Sequence, residues 1–287
     1  MAEVRPVIES ALAEHMPSAP PAIAKNFGKA VNDALFSGGK RIRPALTLLS
    51  ADLVGGTSLK VLPSATAVEF IHISSLIFDD LPCMDNALKR RGNPSLHVSY
   101  GEGLAVLVAL ALLNRAYTLV IENADSISDR ALLSHSELTQ CIEAQIFGQA
   151  LDISPSILLP KGESHEEIQS LRNLKASALV RLSVKLGAIF SGASEVQMQS
   201  LSRFAELLGD AYQISDDISD QSEDGLLAGE SRHTTLPAEY GAENATLRVS
   251  ELTTEAKQTI ISEFGPSRPA IILCGVADYV SARCTEA

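Results

Sequence analysis

Tryptophan is absent from this chain and aromatic residues make up only 5% of it, too few to build a stacking platform for nucleobases. Positive charge is scarce as well. The 23 Lys and Arg stand against 35 Asp and Glu, a formal net charge of −12, which argues against the basic surface that a nucleic-acid groove needs. No nucleic-acid partner is expected, although a few cations gathered in one cleft would still serve a small anionic substrate. Cys83, Cys141, Cys274 and Cys284 show no C-x-x-C spacing and no dense framework. Reduced thiols are therefore expected, in a cytoplasmic chain or in the mature form of an organellar one. The amino terminus, Met-Ala-Glu-Val-Arg-Pro, lacks the basic-then-apolar pattern of a secretory leader. Long hydrophobic runs are missing too. The most apolar stretch, Gly103 to Leu113, is about half the length of a membrane-spanning helix, so it reads as core and no membrane span is expected.

What is present is helical. Apolar residues recur at three- and four-residue spacings over 7–16, 21–37, 42–54, 61–80, 101–124, 129–150, 165–192, 195–220, 242–263 and 267–283. Breaks fall at Gly38-Gly39, Gly55-Gly56, Pro82, Gly92-Asn-Pro94, Pro155 to Gly162 and Gly265-Pro266. Strand signals are nearly absent, and neither a linker nor a repeat interrupts the pattern. With 46% hydrophobic side chains over 287 residues, one all-α domain spanning 1–287 is expected.

Two acidic clusters close two of these apolar helices: Asp79-Asp80-Leu-Pro-Cys-Met-Asp85 and Asp216-Asp217-Ile-Ser-Asp220. Carboxylates in such places are costly without a cation among them. His72, Ser75 and Asp79 share a helix face, and Pro82 stops the helix so that Asp85 can swing back toward Asp79 and Asp80. In the second cluster, Gln213, Asp216, Asp217 and Asp220 recur at helical spacing. A single acidic helix end is ordinarily just solvated. Two at the ends of apolar helices suit a hard divalent cation such as Mg²⁺, which takes oxygen ligands and bridges to substrate phosphates.

Cations are grouped as well. Gly38-Gly39-Lys40-Arg41-Ile42-Arg43-Pro44 leads into a helix N-terminus, a natural place for phosphate, and Lys89-Arg90-Arg91-Gly92 follows the first acidic cluster. Gln149, Asp152 and Lys175 are polar residues within apolar helices.

In order along the chain, GGKRIRP, IHISSLIFDDLPCMDN, RRGNPSLH, GQALD, LKASALV, YQISDDISD and ADYV resemble the trans-isoprenyl diphosphate synthases, a family that includes farnesyl and geranylgeranyl diphosphate synthases. The resemblance implies a single-domain antiparallel helix bundle around a deep central cavity, usually a homodimer, with a heteromer containing another synthase as the alternative. It also implies three Mg²⁺ ions held with substrate by Asp79, Asp80, Asp85, Asp216, Asp217 and Asp220. Asp79, Asp80, Asp216 and Lys175 would be the catalytic set. The allylic diphosphate would meet Arg90, Lys175, Gln213 and His233, and isopentenyl diphosphate would meet Gly39, Lys40, Arg43, His72 and Arg91.

The chain departs from the family's pattern in places. Leu110 replaces an acid usually found in its helix, Ala176 replaces a threonine after the helix lysine, and His233 stands where a lysine is usual. The loop after Asp220 is shortened. Phe78 replaces a histidine beside the first cluster, and the small Ser74 and Ser75 leave the tail path open. A C20 product is therefore expected, with C15 next. A terpene synthase-like enzyme or a non-catalytic regulatory subunit would be alternatives on the same scaffold.

Overall fold

A computed structural model describes residues 4–124, 129–158, 165–223 and 241–286. The chain enters through α1 (Arg5–Glu14), α2 (Pro21–Leu35) and α3 (Ile42–Leu53), then a 3₁₀ turn at Ser58–Val61 and α4 (Leu62–Asp79). A two-stranded ribbon, β1 (Lys89–Arg90) and β2 (Asn93–Pro94), precedes the short α5 (Leu96–Tyr100) and the long α6 (Glu102–Glu122). Next come α7 (Asp129–Ile153), the single turn α8 (Pro155–Leu158), α9 (His165–Ser191) and α10 (Glu195–Glu223). Helices α11 (Ala242–Phe264) and α12 (Arg268–Glu286) end the fold. The ten helices expected from periodicity all form, with their ends shifted by a few residues.

Helix α4 carries Pro63 in its first turn, where N–H groups lack intrahelical partners, and is apolar almost all round. Such a helix has to be enclosed. Leu12, Val31, Phe70, Leu112, Leu138 and Leu182 form one core around it, drawn from α1, α2, α4, α6, α7 and α9. A second core joins α3 and α9 to α10, α11 and α12 through Leu46, Val184, Phe204, Val249 and Leu273. Helix α9 serves both, with Leu179 and Leu182 turned to the first and Val180 and Val184 to the second.

Two expectations need correction. Long apolar runs are not missing: helix α6 runs from Glu102 to Glu122, close to the 101–124 expected, and it and the segment Ser58–Asp79 are each long and apolar enough to cross a membrane by length and composition. They pack against each other instead. Ala105, Val108, Ala109, Leu112, Ala116 and Leu119 lie at helical spacing on the buried side of α6. The basic loop, in turn, is an antiparallel ribbon. Arg90 pairs with Asn93 across a two-residue turn at Arg91-Gly92, whose φ angles of 53° and 80° match the hairpin turn that follows strand twist. Four-residue ribbons carry too little periodicity to be read from sequence.

Candidate active site

The ribbon is what organises the charged residues. It sends two adjacent arginines in different directions. Arg90 donates through Nε to Asp80 Oδ1 at 2.9 Å and also through Nη2, a fork-like grip on a carboxylate that is 4% exposed. Arg91 turns to the glycine loop, donating to the Gly38 carbonyl at 2.5 Å. Asn93 Nδ2 stitches the ribbon to the same loop through the Ser37 carbonyl, 3.3 Å away. Gly39 must be glycine here. Its φ is +120°, and a Cβ would stand 2.6 Å from Arg91 Nη1.

Helix α4 ends at Asp79, and the next turn folds back as the proline spacing implied. Asp85 N–H donates to the Asp79 carbonyl at 2.9 Å and Ala87 N–H to the Asp80 carbonyl at 3.2 Å. Burial pushes the Asp79 carboxyl from 3.8 up to about 6, against the pull of Lys175 and Arg90, with Asp85 and Asp80 adding to the rise. Lys175 on α9 bonds Gln149 Oε1 and lies 3.3 Å from Asp152 Oδ2, so the three polar residues noticed in apolar helices form one group facing the first cluster. Close packing makes this possible, because a Cβ on Gly148 would fall 2.4 Å from Lys175 Cβ.

Beside the glycine loop, Arg43 Nη1 lies 3.4 Å from His72 Nε2, and Arg43 Nε is buried without a hydrogen-bond partner. The Arg43 charge, with that of Lys40, also acts through space on the Asp216 carboxyl and lowers it. Burial and then Arg43, Arg91, Arg41 and Arg90 hold the His72 imidazole well below its ordinary range. It is neutral at pH 7 and can accept a bond from Arg43. Lys40 contacts the Tyr279 hydroxyl, its Nζ 4.5 Å above the ring centroid.

The second cluster sits on α10. Asp216 is bound by Arg283 of α12, whose guanidinium also lies 4.6 Å over the Tyr212 ring, and Gln213 Nε2 donates to Asp217 Oδ1 at 2.9 Å. Burial still raises the Asp216 carboxyl, with Arg283 opposing. Arg283 went unnoticed in the sequence, since a lone arginine near a terminus carries no pattern. The side chains of Ala176 and Asp220, and all of His233, lie outside the described residues.

Ser74 is buried and donates to the Ala109 carbonyl of α6 at 3.0 Å, so it fills the α4–α6 contact; Ser75 donates back to the His72 carbonyl at 2.8 Å. Leu110 is 48% exposed beside Leu107 on the outer side of α6.

The aspartates of both clusters offer only oxygen donors, and at Asp79 Lys175 and Arg90 compensate the buried charge only in part. That fits a hard cation. Among the described residues no three His, Cys, Asp or Glu gather closely enough to hold an ion by themselves; a Mg²⁺ ion bound by one or two of these carboxylates would complete its shell with water or substrate oxygens.

Comparisons with known proteins agree with this geometry. The polyprenyl synthetase family model matches residues 24–234. The chain is 38% identical over 268 residues to a chloroplastic geranylgeranyl pyrophosphate synthase from Capsicum annuum, covering 89% of this chain and 71% of that one. It is 36% identical to the heterodimeric geranylgeranyl pyrophosphate synthase large subunit 2 of Arabidopsis thaliana, over 88% and 68% of the two chains. A solved geranyltranstransferase from Thermotoga maritima superposes with a TM-score of 0.80 at 27% identity, covering 98% of this chain and 97% of the other.

Proposed function

Because the chain belongs to the polyprenyl synthetase family, we propose that it condenses isopentenyl diphosphate with an allylic diphosphate, as a trans-isoprenyl diphosphate synthase making chiefly the C20 product. One observation carries the reading. The Arg90–Arg91 ribbon supplies one guanidinium to the carboxylate of Asp80, next to Asp79, and the other to the Gly38–Gly39 loop beside Lys40, Arg43 and His72. Two anion sites are thereby built, one with carboxylates for metal and one with cations alone. An enzyme that only ionised a prenyl diphosphate would have no use for the second site. The domain is taken as the whole chain, 1–287.

In the reaction the allylic C–O bond breaks, its electron pair leaves with the diphosphate, and the double bond of isopentenyl diphosphate attacks the allylic carbon. Loss of a proton restores an alkene. Asp79, Asp80, Asp85, Asp216, Asp217 and Asp220 would hold Mg²⁺, which supplies charge to the departing diphosphate. Arg90, Lys175 and Gln213 grip the same group, and His233 is assigned there from its place in the sequence. Gly39, Lys40, Arg43, His72 and Arg91 orient isopentenyl diphosphate with its alkene toward the allylic carbon, and apolar walls keep water from the cation.

The exposed Leu107, Leu110 and Ile121 on α6, with Ile146 and Phe147 on α7, support assembly as a homodimer. A heteromer with another synthase is the second reading, favoured by the relative named as a heterodimeric large subunit. The Capsicum annuum relative is named as chloroplastic, and an organellar or a cytoplasmic setting suits the same chemistry. Incubating the purified chain with labelled isopentenyl diphosphate, dimethylallyl, geranyl or farnesyl diphosphate and Mg²⁺ tests the reading. C20 diphosphate is expected. Failure to consume isopentenyl diphosphate with any allylic partner would overturn it, and light scattering of the same sample gives the assembly.

A further inference from the structure

Between the two cations of the glycine loop lies a third that does the opposite of its neighbours. Lys40 is exposed, and Arg43 faces His72. Arg41 is 3% exposed and points into the bundle. There it donates through Nη1 to Glu69 Oε1 at 2.7 Å and through Nη2 to the Leu35 carbonyl at 2.6 Å. Its Nε is 3.9 Å from Glu9 and makes no hydrogen bond. Glu69 is as buried as its partner, at 2%.

Such a pair is a poor source of stability. Desolvating both ions costs several kcal/mol, and apolar residues of similar volume usually serve a core as well or better. The backbone it holds is also unfavourable. Gly38 and Gly39 have φ of 115° and 120°, and Arg41 itself, a residue with a full side chain, sits at φ 55°. A left-handed conformation at a non-glycine residue persists only where the surroundings impose it. Here the imposing contacts are those of the Arg41 side chain with Glu69 and Leu35.

The consequence is positional. Glu69 lies one helical turn before His72 on α4, so the anchor of the loop and the imidazole of the site share one rigid element. With Arg41 pinned inward, the chain reverses around it and delivers Lys40 on one side and Arg43 on the other. We propose that Arg41 and Glu69 are the positioning pair of the isopentenyl diphosphate site, setting the separation of Lys40, Arg43 and His72 without touching substrate. This rests on the prenyl-transfer reading above and adds to it two residues that the anion itself never meets.

The test is the double variant Arg41→Met/Glu69→Met, which removes both charges together and keeps apolar bulk in the core. Circular dichroism and thermal melting establish that it folds. Titration with isopentenyl diphosphate in the absence of Mg²⁺ then reads the site without turnover, and KM for each substrate is measured alongside. A loop displaced by about an ångström should raise Kd and KM for isopentenyl diphosphate by about tenfold or more. The KM for the allylic diphosphate and kcat at saturation should stay within about twofold of the parent, because Arg90 and Lys175 are held by other contacts. Unchanged isopentenyl diphosphate binding in the folded variant overturns the proposal. So does equal damage to both substrates, which is what a purely structural pair would give. If the double variant does not fold, Arg41→Lys keeps the ion pair and gives up the bond to Leu35, and a selective rise in the isopentenyl diphosphate Kd is again required. A parent that binds the allylic diphosphate but not isopentenyl diphosphate would instead remove the prenyl-transfer reading, and this one with it.

Discussion

Asp79 should be a liability to the folded protein and a necessity to the enzyme. Its carboxyl titrates near 6 rather than 3.8, so above pH 6 the folded state carries an ionised group that it would rather keep protonated. Below 3.8 the group is protonated both folded and unfolded, and the penalty vanishes. The penalty grows between those values and is complete above the upper one. The rise from 3.8 to about 6 corresponds to an upper limit of about 3 kcal/mol, and residual solvent contact lowers the expectation to about 1–2 kcal/mol.

Asp79→Asn removes the charge and almost nothing of the shape. In metal-free buffer near pH 8, and at matched protein concentration, the variant should melt higher than the parent by about 2–4 °C per kcal/mol. Near pH 4 the two melting temperatures should converge. Prenyl transfer should fall by orders of magnitude, and Mg²⁺ with inorganic diphosphate should raise the melting temperature of the parent far more than that of the variant. A variant less stable than the parent at pH 8 would refute the reasoning. So would a gain of equal size at pH 4, because burial of the charge would then not be its cause.

Gly148→Ala should force Lys175 out of place, since the new Cβ would fall 2.4 Å from the Lys175 Cβ; KM for the allylic substrate should rise with KM for isopentenyl diphosphate little changed. Ser74→Tyr should cost about 1–3 kcal/mol in chemical denaturation through overpacking against α6. Ser75→Tyr, at the less enclosed position, is then the substitution expected to shorten the product toward C15, as read by chromatography of the dephosphorylated alcohols. Arg283→Ala removes the group that opposes the rise of the Asp216 carboxyl, so the acid limb of kcat/KM should move to higher pH. An unmoved acid limb would mean that Asp216 does not need to be ionised for turnover.

The helices were legible because their information is local. Each of the ten long periodic segments buries a stripe whatever it packs against, so α4 and α9 appear in the spacing of their apolar residues before any partner is known. The acidic clusters were legible for a related reason. A carboxylate at the end of an apolar helix is expensive in every arrangement, and Asp79 does show that expense as a raised pKa. The return of Asp85 to Asp79 follows from a helix ending just before a proline.

What the sequence could not reveal depended on direction. Arg90 and Arg91 are neighbours with the same charge, and only a four-residue ribbon sends one to Asp80 and the other to Gly38. Arg41 reads as one more cation in a basic loop until a left-handed backbone turns it inward onto Glu69. Ser74 and Ser75 look equivalent, yet one helical step, about 100°, sets Ser74 against α6 and leaves Ser75 facing elsewhere. Arg283 meets Asp216 across 67 residues of chain. Composition and spacing by themselves determined that this chain forms helices and brings costly acids to their ends. The pairing of each acid with its cation was decided only in the folded bundle, because charge attraction depends on distance in space and records nothing of separation along the chain.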